Sequence, residues 1–148
     1  MNKIAHLAKR FVLSLVPSQV QEIERQWVQS VLTPSEFDLW NKMMAQDRQH
    51  SVLVGRRFVK YRPTSDSAEI AGALLHDVGK SAAHLGTLAR VVATLVGPRT
   101  SRFRKYHDHE AIGAAILRSI GSSEITVSMV EGSCVGELKD ALNRADDI

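Results

Sequence analysis

Histidine and aspartate recur where apolar segments of this chain are interrupted, and those interruptions are the places where it could do chemistry. His50 follows Asp47-Arg48-Gln49 and opens the run Ser51-Val52-Leu53-Val54. His76-Asp77 closes the run Ala73-Leu74-Leu75 and is followed at once by Val78-Gly79-Lys80. Asp146 stands in "LNRADDI". Imidazole and carboxylate together suit Mn, Fe, Co, Ni or Zn, and a carboxylate-rich site also admits Mg. No two of these positions have the i, i+4 spacing that puts two ligands on one helix face. A shared ion therefore requires three separate segments to converge, as happens when facing helices of a bundle direct side chains inward.

The elements that would carry these residues are read from periodicity. Ile4, Leu7, Phe11 and Leu15 recur at helical spacing, with Lys3, His6 and Arg10 between them. That segment could lie on a membrane surface, but packing against its own domain is the expectation. Pro17-Ser18 breaks it from a second helix near 19–29. Thr33-Pro34-Ser35-Glu36 has the form of a capping box, with Thr33 as N-cap, Pro34 in the first turn and Glu36 reaching back. The helix it starts carries Phe37, Trp40, Met43 and Met44 as a core stripe. A helix over about 47–61 is expected to turn Val52, Leu53, Val54 and Phe58 inward. After the loop Arg62-Pro63-Thr64-Ser65-Asp66, either Asp66 or Ser67 can cap a helix running from Ala68 towards His76. Leu85, Leu88, Val91, Val92 and Leu95 mark a further helix, ended by Gly97-Pro98. A basic loop with Arg99, Arg102, Arg104 and Lys105 follows, then helices over about 107–120, 123–131 and 135–148. No period-two alternation persists, so no sheet is expected. The expected fold class is all-α, a compact multi-helix bundle.

Composition bounds the function. The 148 residues are 44% hydrophobic and 24% charged, as in an ordinary soluble domain. The longest early apolar stretch, Phe11–Val16, is too short for a transmembrane helix or a typical secretory signal. The single cysteine, Cys134, excludes an internal disulfide and a Cys-based zinc site, which fits a reducing cytoplasm. A net charge of +3 suits an anionic ligand. The basic loop has only Phe103 and Tyr106 as aromatic partners, so it is expected to be a solvated loop, and no nucleic-acid partner is expected.

The order of the motifs adds a resemblance. "RQHSVLVGRRF", "AEIAGALLHDVGK", "HEAIGAAIL" and "ALNRADDI" follow one another over about residues 45–148. In that order they resemble the HD-domain superfamily of metal-dependent phosphohydrolases, and most of all small stand-alone bacterial HD proteins. The resemblance implies an HD domain over 47–148. It leaves residues 1–46 as N-terminal helices that pack on or cap the core, roof the pocket or mediate a homodimer. It implies His50, His76, Asp77 and Asp146 as ligands of a divalent ion. Lys80 would face a substrate phosphate, and His109 would be a further ligand or the acid that protonates the leaving group.

The activity implied is hydrolysis of a phosphate ester, as a phosphomonoesterase or phosphodiesterase. The substrate would be a nucleotide or another small phosphorylated compound. A divalent ion lowers the pKa of a coordinated water from about 15.7 towards about 7. Asp77 would hold both ion and water, while Lys80, Arg102 and Arg104 would offset charge growing on the phosphoryl oxygens. The two-metal branches carry another histidine before the last helix. Here Glu131 stands roughly at that place, and the plainer expectation is that a second site is lost or weak. The cyclic-dinucleotide branch is disfavoured because its "GYP" signature is missing. The alternative is a non-catalytic HD module that binds metal or nucleotide as a sensor or scaffold.

Overall fold

The computed structural model describes residues 20–80 and 108–148, and everything that follows concerns those residues. The expected segment around Ile4–Leu15, the helix around Leu85–Leu95 and the basic loop with Arg99, Arg102, Arg104 and Lys105 lie outside them. Seven helices and no strand occur among the described residues. They are α1 (Glu22–Val31), α2 (Pro34–Asn41), α3 (Ala45–Tyr61), α4 (Ser67–Leu74), α5 (Asp108–Ser119), α6 (Glu124–Glu131) and α7 (Glu137–Asp146). The all-α class expected from periodicity is the one observed.

Local chemistry accounts for where these helices start and stop. The capping box at α2 forms in full: Thr33 Oγ1 accepts from the Glu36 amide, and Glu36 Oε2 accepts from the Thr33 amide at 2.9 Å. Glu36 is only 3% exposed because its other oxygen accepts from Ser122 Oγ at 2.8 Å. The cap thus also ties α2 to the turn between α5 and α6. Asp66, rather than Ser67, caps α4 by accepting from the Glu69 amide at 2.9 Å. Ser123 caps α6. Gly121 and Gly132 follow α5 and α6 at φ values of 78° and 83°, left-handed conformations that cost glycine little and other residues more.

α4 is the central element. It packs on α1, α3 and α6, while α3 also packs along α7, and α5 along α6. Gly72 allows the α4–α6 approach, since a Cβ there would lie 2.8 Å from Met129 Cβ. Val28, Leu32, Leu39, Trp40 and Met43 from the first two helices and the turn after them join one apolar cluster. Its other members include Val52, Leu74, Leu75, Val78, Ile116 and Leu117. A second cluster joins α3 to α7 through Val54, Phe58, Ala141, Leu142 and Ala145. Burying side chains of this size stabilises by roughly 1.5–3 kcal/mol each, which is why these contacts can fix helix orientation.

Two expected core positions are corrected. Met44 is 49% exposed and Leu53 is 48% exposed. At 100° per residue, a helix that buries Val52 and Val54 with Phe58 has to turn Leu53 outward. Met44 is the N-cap of α3 and has already left the face that carries Met43.

Trp40 is fully buried with its indole nitrogen donating to Ser51 Oγ at 2.8 Å, and Ser51 Oγ donates in turn to the Arg48 carbonyl at 2.8 Å. Ser51→Ala removes the only acceptor in this chain of bonds for a buried N–H. It is expected to destabilise the fold by about 1–3 kcal/mol, measurable as a lower urea midpoint at unchanged slope. A variant as stable as the wild type would show that water replaces the serine.

Candidate metal centre

Three segments bring the expected residues together. α3 and α7 run antiparallel, with Arg62 near Glu137 at one end and His50 near Asp146 at the other. On α3, His50 precedes Val54 and Phe58 by one and two turns, so the face that packs on α7 also carries His50. On α7, Leu138, Ala141, Leu142 and Ala145 form the packed stripe, and Asp146 follows Leu142 by four residues, which continues it. The apolar pattern of both helices therefore delivers an imidazole and a carboxylate to the same place.

His76 and Asp77 come from a turn and not from a helix. The expectation that α4 runs towards His76 is corrected by two residues: it ends at Leu74, and the ladder tightens from Leu75 N–Ala71 O to Val78 N–Leu75 O and Lys80 N–Asp77 O. His76 Nδ1 lies 2.8 Å from the Ala73 carbonyl. A carbonyl oxygen only accepts, so Nδ1 carries the proton and Nε2 points the other way, into the cluster.

There, Asp146 Oδ1 lies 3.1 Å from His50 Nε2 and 3.2 Å from His76 Nε2. Asp77 Oδ2 lies 3.4 Å from His76 Nε2, 3.9 Å from His50 Nε2 and 2.9 Å from Lys80 Nζ. The two imidazole rings are tilted by 52° with centroids 5.6 Å apart. Ligand atoms of His50, His76 and Asp77 all fall within 4.8 Å of one another. The side chain of His76 is 10% exposed and that of Asp146 46%, so the cluster is walled on the α4 side and open to solvent on the α7 side.

The electrostatics follow from this geometry. Burial works against a charged His76, but the hydrogen bond to Asp146 and the negative charges of Asp77 and Asp146 outweigh it and raise its pKa above the ordinary imidazole value. Hydrogen bonds from His50 and His76 hold the Asp146 carboxyl well below the usual carboxylate range, against the opposing effect of its partial burial. A raised imidazole pKa contributes stability that is present below its unfolded value and lost as pH rises through the folded one. A lowered carboxylate pKa contributes stability present above its unfolded value and lost as pH falls through the folded one. Chelator-treated protein is therefore expected to gain most from the cluster between the ordinary carboxylate and imidazole values, about 4 and 6.5. The gain fades as pH climbs further. Urea midpoints of wild type and His76→Ala across pH check this, and a constant difference between them would contradict it.

The donor set fits a divalent cation. Two imidazole Nε2 atoms face two carboxylates, so either protons or a cation must stand between them. His76 already has the bond, Nδ1–H to the Ala73 carbonyl, of the kind that fixes the orientation of a metal-ligating imidazole. His50, His76 and Asp77 form the group that could hold an ion, and Asp146 stands beside both imidazoles.

The remaining expected residues lie at the edge of the cluster or away from it. Among the described residues, the bonds and ion pairs of the cluster join His50, Ala73, His76, Asp77, Lys80 and Asp146, and not His109. His109 meets the His76-Asp77 turn through its main chain, because its carbonyl backs onto Gly79. Lys80 reaches the cluster edge with its ammonium on Asp77, half-exposed. Glu131 accepts both of its 3.1 Å bonds from Arg118 Nη2, and a further one from Ser133 Oγ. Arg102 and Arg104 lie outside the described residues.

Two features were not anticipated from the chain: the backbone contact between Gly79 and the "HEAIG" segment, and the position of Arg57 beside Asp146. The available signal for Arg57 was its i+7 spacing from His50, which places both on one face of α3.

No family model matches this chain, and no curated protein or solved structure is significantly similar to it. No helix among the described residues is long and apolar enough to cross a membrane.

Proposed function

We propose that this protein is a metal-dependent phosphohydrolase of the HD type that cleaves a phosphate ester, a nucleotide or another small phosphorylated compound. One observation supports the reading above others: His50, His76-Asp77 and Asp146, from three distant segments of the chain, have side chains converging at 3.1–3.9 Å. Structural polar clusters are common, but this one combines two imidazoles and two carboxylates, a partly open face and a lysine at the rim.

When bound there, a divalent ion supplies Lewis acidity, polarising a phosphoryl oxygen and bringing the pKa of a coordinated water towards neutrality. The chain's own residues do the rest. His76, held by Ala73, keeps its Nε2 aimed inward without rotating. Asp77 presents one oxygen to both imidazoles and to Lys80, so it can also accept the proton side of an attacking water. Lys80 lies where its ammonium can leave Asp77 for a phosphoryl oxygen and offset the charge that develops there. Arg102, Arg104 and His109 are proposed as additional phosphate contacts and as the leaving-group acid.

The second reading is a module that binds ion or nucleotide without turnover. It is favoured by Glu131, whose carboxylate is engaged by Arg118 and Ser133 roughly where the two-metal branches carry a histidine. A panel of nucleoside mono-, di-, tri- and cyclic phosphates, assayed with Mn, Mg, Co and Ni against a chelator control, separates the two. Ion-dependent turnover that disappears in His76→Ala and Asp77→Ala supports the hydrolase. Tight nucleotide binding without turnover supports the module. Neither binding nor turnover, with any ion, overturns both.

A further inference from the structure

Asp146 is the last residue of α7, and the final carbonyls of a helix have no partner within it, so a ligand placed there sits on the turn most prone to fray. One side chain counters this. Arg57 Nε donates to the Ala145 carbonyl at 2.9 Å, and Arg57 Nη2 donates to the carbonyls of Arg144 and Asp147 at 3.0 and 3.1 Å. These three acceptors flank Asp146 on both sides. A guanidinium presents its donors in a fixed fork, and a cation at a helix C-terminus also complements the helix dipole.

We infer that Arg57 is a positioning residue that clamps the last turn of α7 so that the Asp146 carboxylate stays against His50 and His76. The role rests on reading His50, His76, Asp77 and Asp146 as one site. Arg57 lies two turns after His50 on the same face of α3, a rise of about 10.5 Å. A single rigid helix therefore holds both an imidazole of the site and the clamp on that imidazole's carboxylate partner. A surface arginine serving only solubility would not need three main-chain acceptors. Among the described residues, all of Arg57's hydrogen bonds go to those carbonyls, and its one other partner is the Tyr61 ring, 5.6 Å away.

The test compares Arg57→Ala, Arg57→Lys, Asp146→Ala and the Arg57→Ala/Asp146→Ala double variant in the full chain. Three readouts are taken: amide hydrogen exchange, the imidazole 15N resonances of His50 and His76 in chelator-treated protein at one fixed pH, and Mn2+ affinity. In Arg57→Ala, amides of residues 143–147 are expected to exchange about tenfold faster or more while those of α4 and α6 do not change. The imidazole resonances should move in the direction that Asp146→Ala moves them. Mn2+ affinity should fall about 10–100-fold, as for an outer-shell partner, with no further loss when Arg57→Ala is added to Asp146→Ala.

Arg57→Lys, which keeps a donor but not the fork, should fall between. It carries the same comparison if Arg57→Ala does not fold. Imidazole resonances that stay at their wild-type positions in the folded variants overturn the inference, as does an Mn2+ loss that simply adds to that of Asp146→Ala. If the wild type takes up no Mn2+, the metal reading fails, while the exchange and imidazole readouts still decide whether Arg57 positions Asp146.

Discussion

His50→Ala is expected to take the protein from about one bound divalent ion per chain to essentially none. It is also expected to lower any ion-dependent phosphatase turnover by more than about 100-fold, beyond the range typical of an outer-shell partner. His50 is the most informative of the four positions because, among the described residues, its hydrogen bonds, ion pairs and ring contacts stay within the cluster: Asp146 at 3.1 Å, Asp77 at 3.9 Å and the His76 ring. Its side chain caps no helix, so in the ion-free state His50→Ala is expected to cost only the hydrogen bond to Asp146 and the stabilisation that bond gives the carboxylate. His76→Ala is expected to match it in ion loss but to cost stability as well, because the bond to the Ala73 carbonyl disappears. Elemental analysis of untagged protein, before and after chelation and reloading, reads the first effect directly. A wild type that resists reloading, with His50→Ala matching it in ion content and stability, would sink the metal site.

The second large effect is expected at Gly79. A Cβ on Gly79 would collide with the His109 carbonyl oxygen and lie 2.9 Å from the Gly113 amide nitrogen, and a Cβ on Gly113 would lie 3.2 Å from the Gly79 nitrogen. Both neighbours are main chain and cannot swing aside as a side chain would. Gly79→Ala is therefore expected to cost about 3 kcal/mol, the upper end of ordinary overpacking. It should also displace the turn that holds His76 and Asp77, weakening the site although Gly79 touches none of its ligand atoms. Gly121→Ala is the matched control. Gly121 has a positive φ of 78° but nothing within 4 Å of its added Cβ, so only the backbone penalty applies, about 1–2 kcal/mol. Urea denaturation of the two variants side by side checks the difference. Equal, small losses would mean that the α5 N-terminus moves freely away from Gly79.

These two effects separate what different parts of the chain contribute. Donor chemistry is local: an imidazole or carboxylate at the end of an apolar run is visible in the residues themselves. The Thr33 capping box was equally legible, and the α4 cap was narrowed to Asp66 or Ser67, because a cap depends on side chains within three residues of the helix start. The face of α3 was less so. Val52, Leu53 and Val54 are consecutive apolar residues with Phe58 one turn further on, and only packing against α7 and α4 decided that Leu53 points to solvent. The end of α4 was misjudged by two residues because nothing in "ALLHDVGK" shows that His76 will take the Ala73 carbonyl and tighten the turn.

From the sequence alone came the helical class, the breaks between helices, and four residues with the chemistry to share a cation. These depend on side-chain type and on 3.6-residue periodicity, which act over one or two turns. Only the tertiary structure brought Asp146 to within 3.1 Å of His50, set the backbone of His109 against Gly79, and placed the guanidinium of Arg57 across the end of α7. Those contacts join residues from 30 to 96 positions apart. Distances of that kind are decided by which apolar faces bury against each other, and no short stretch of a chain contains that information.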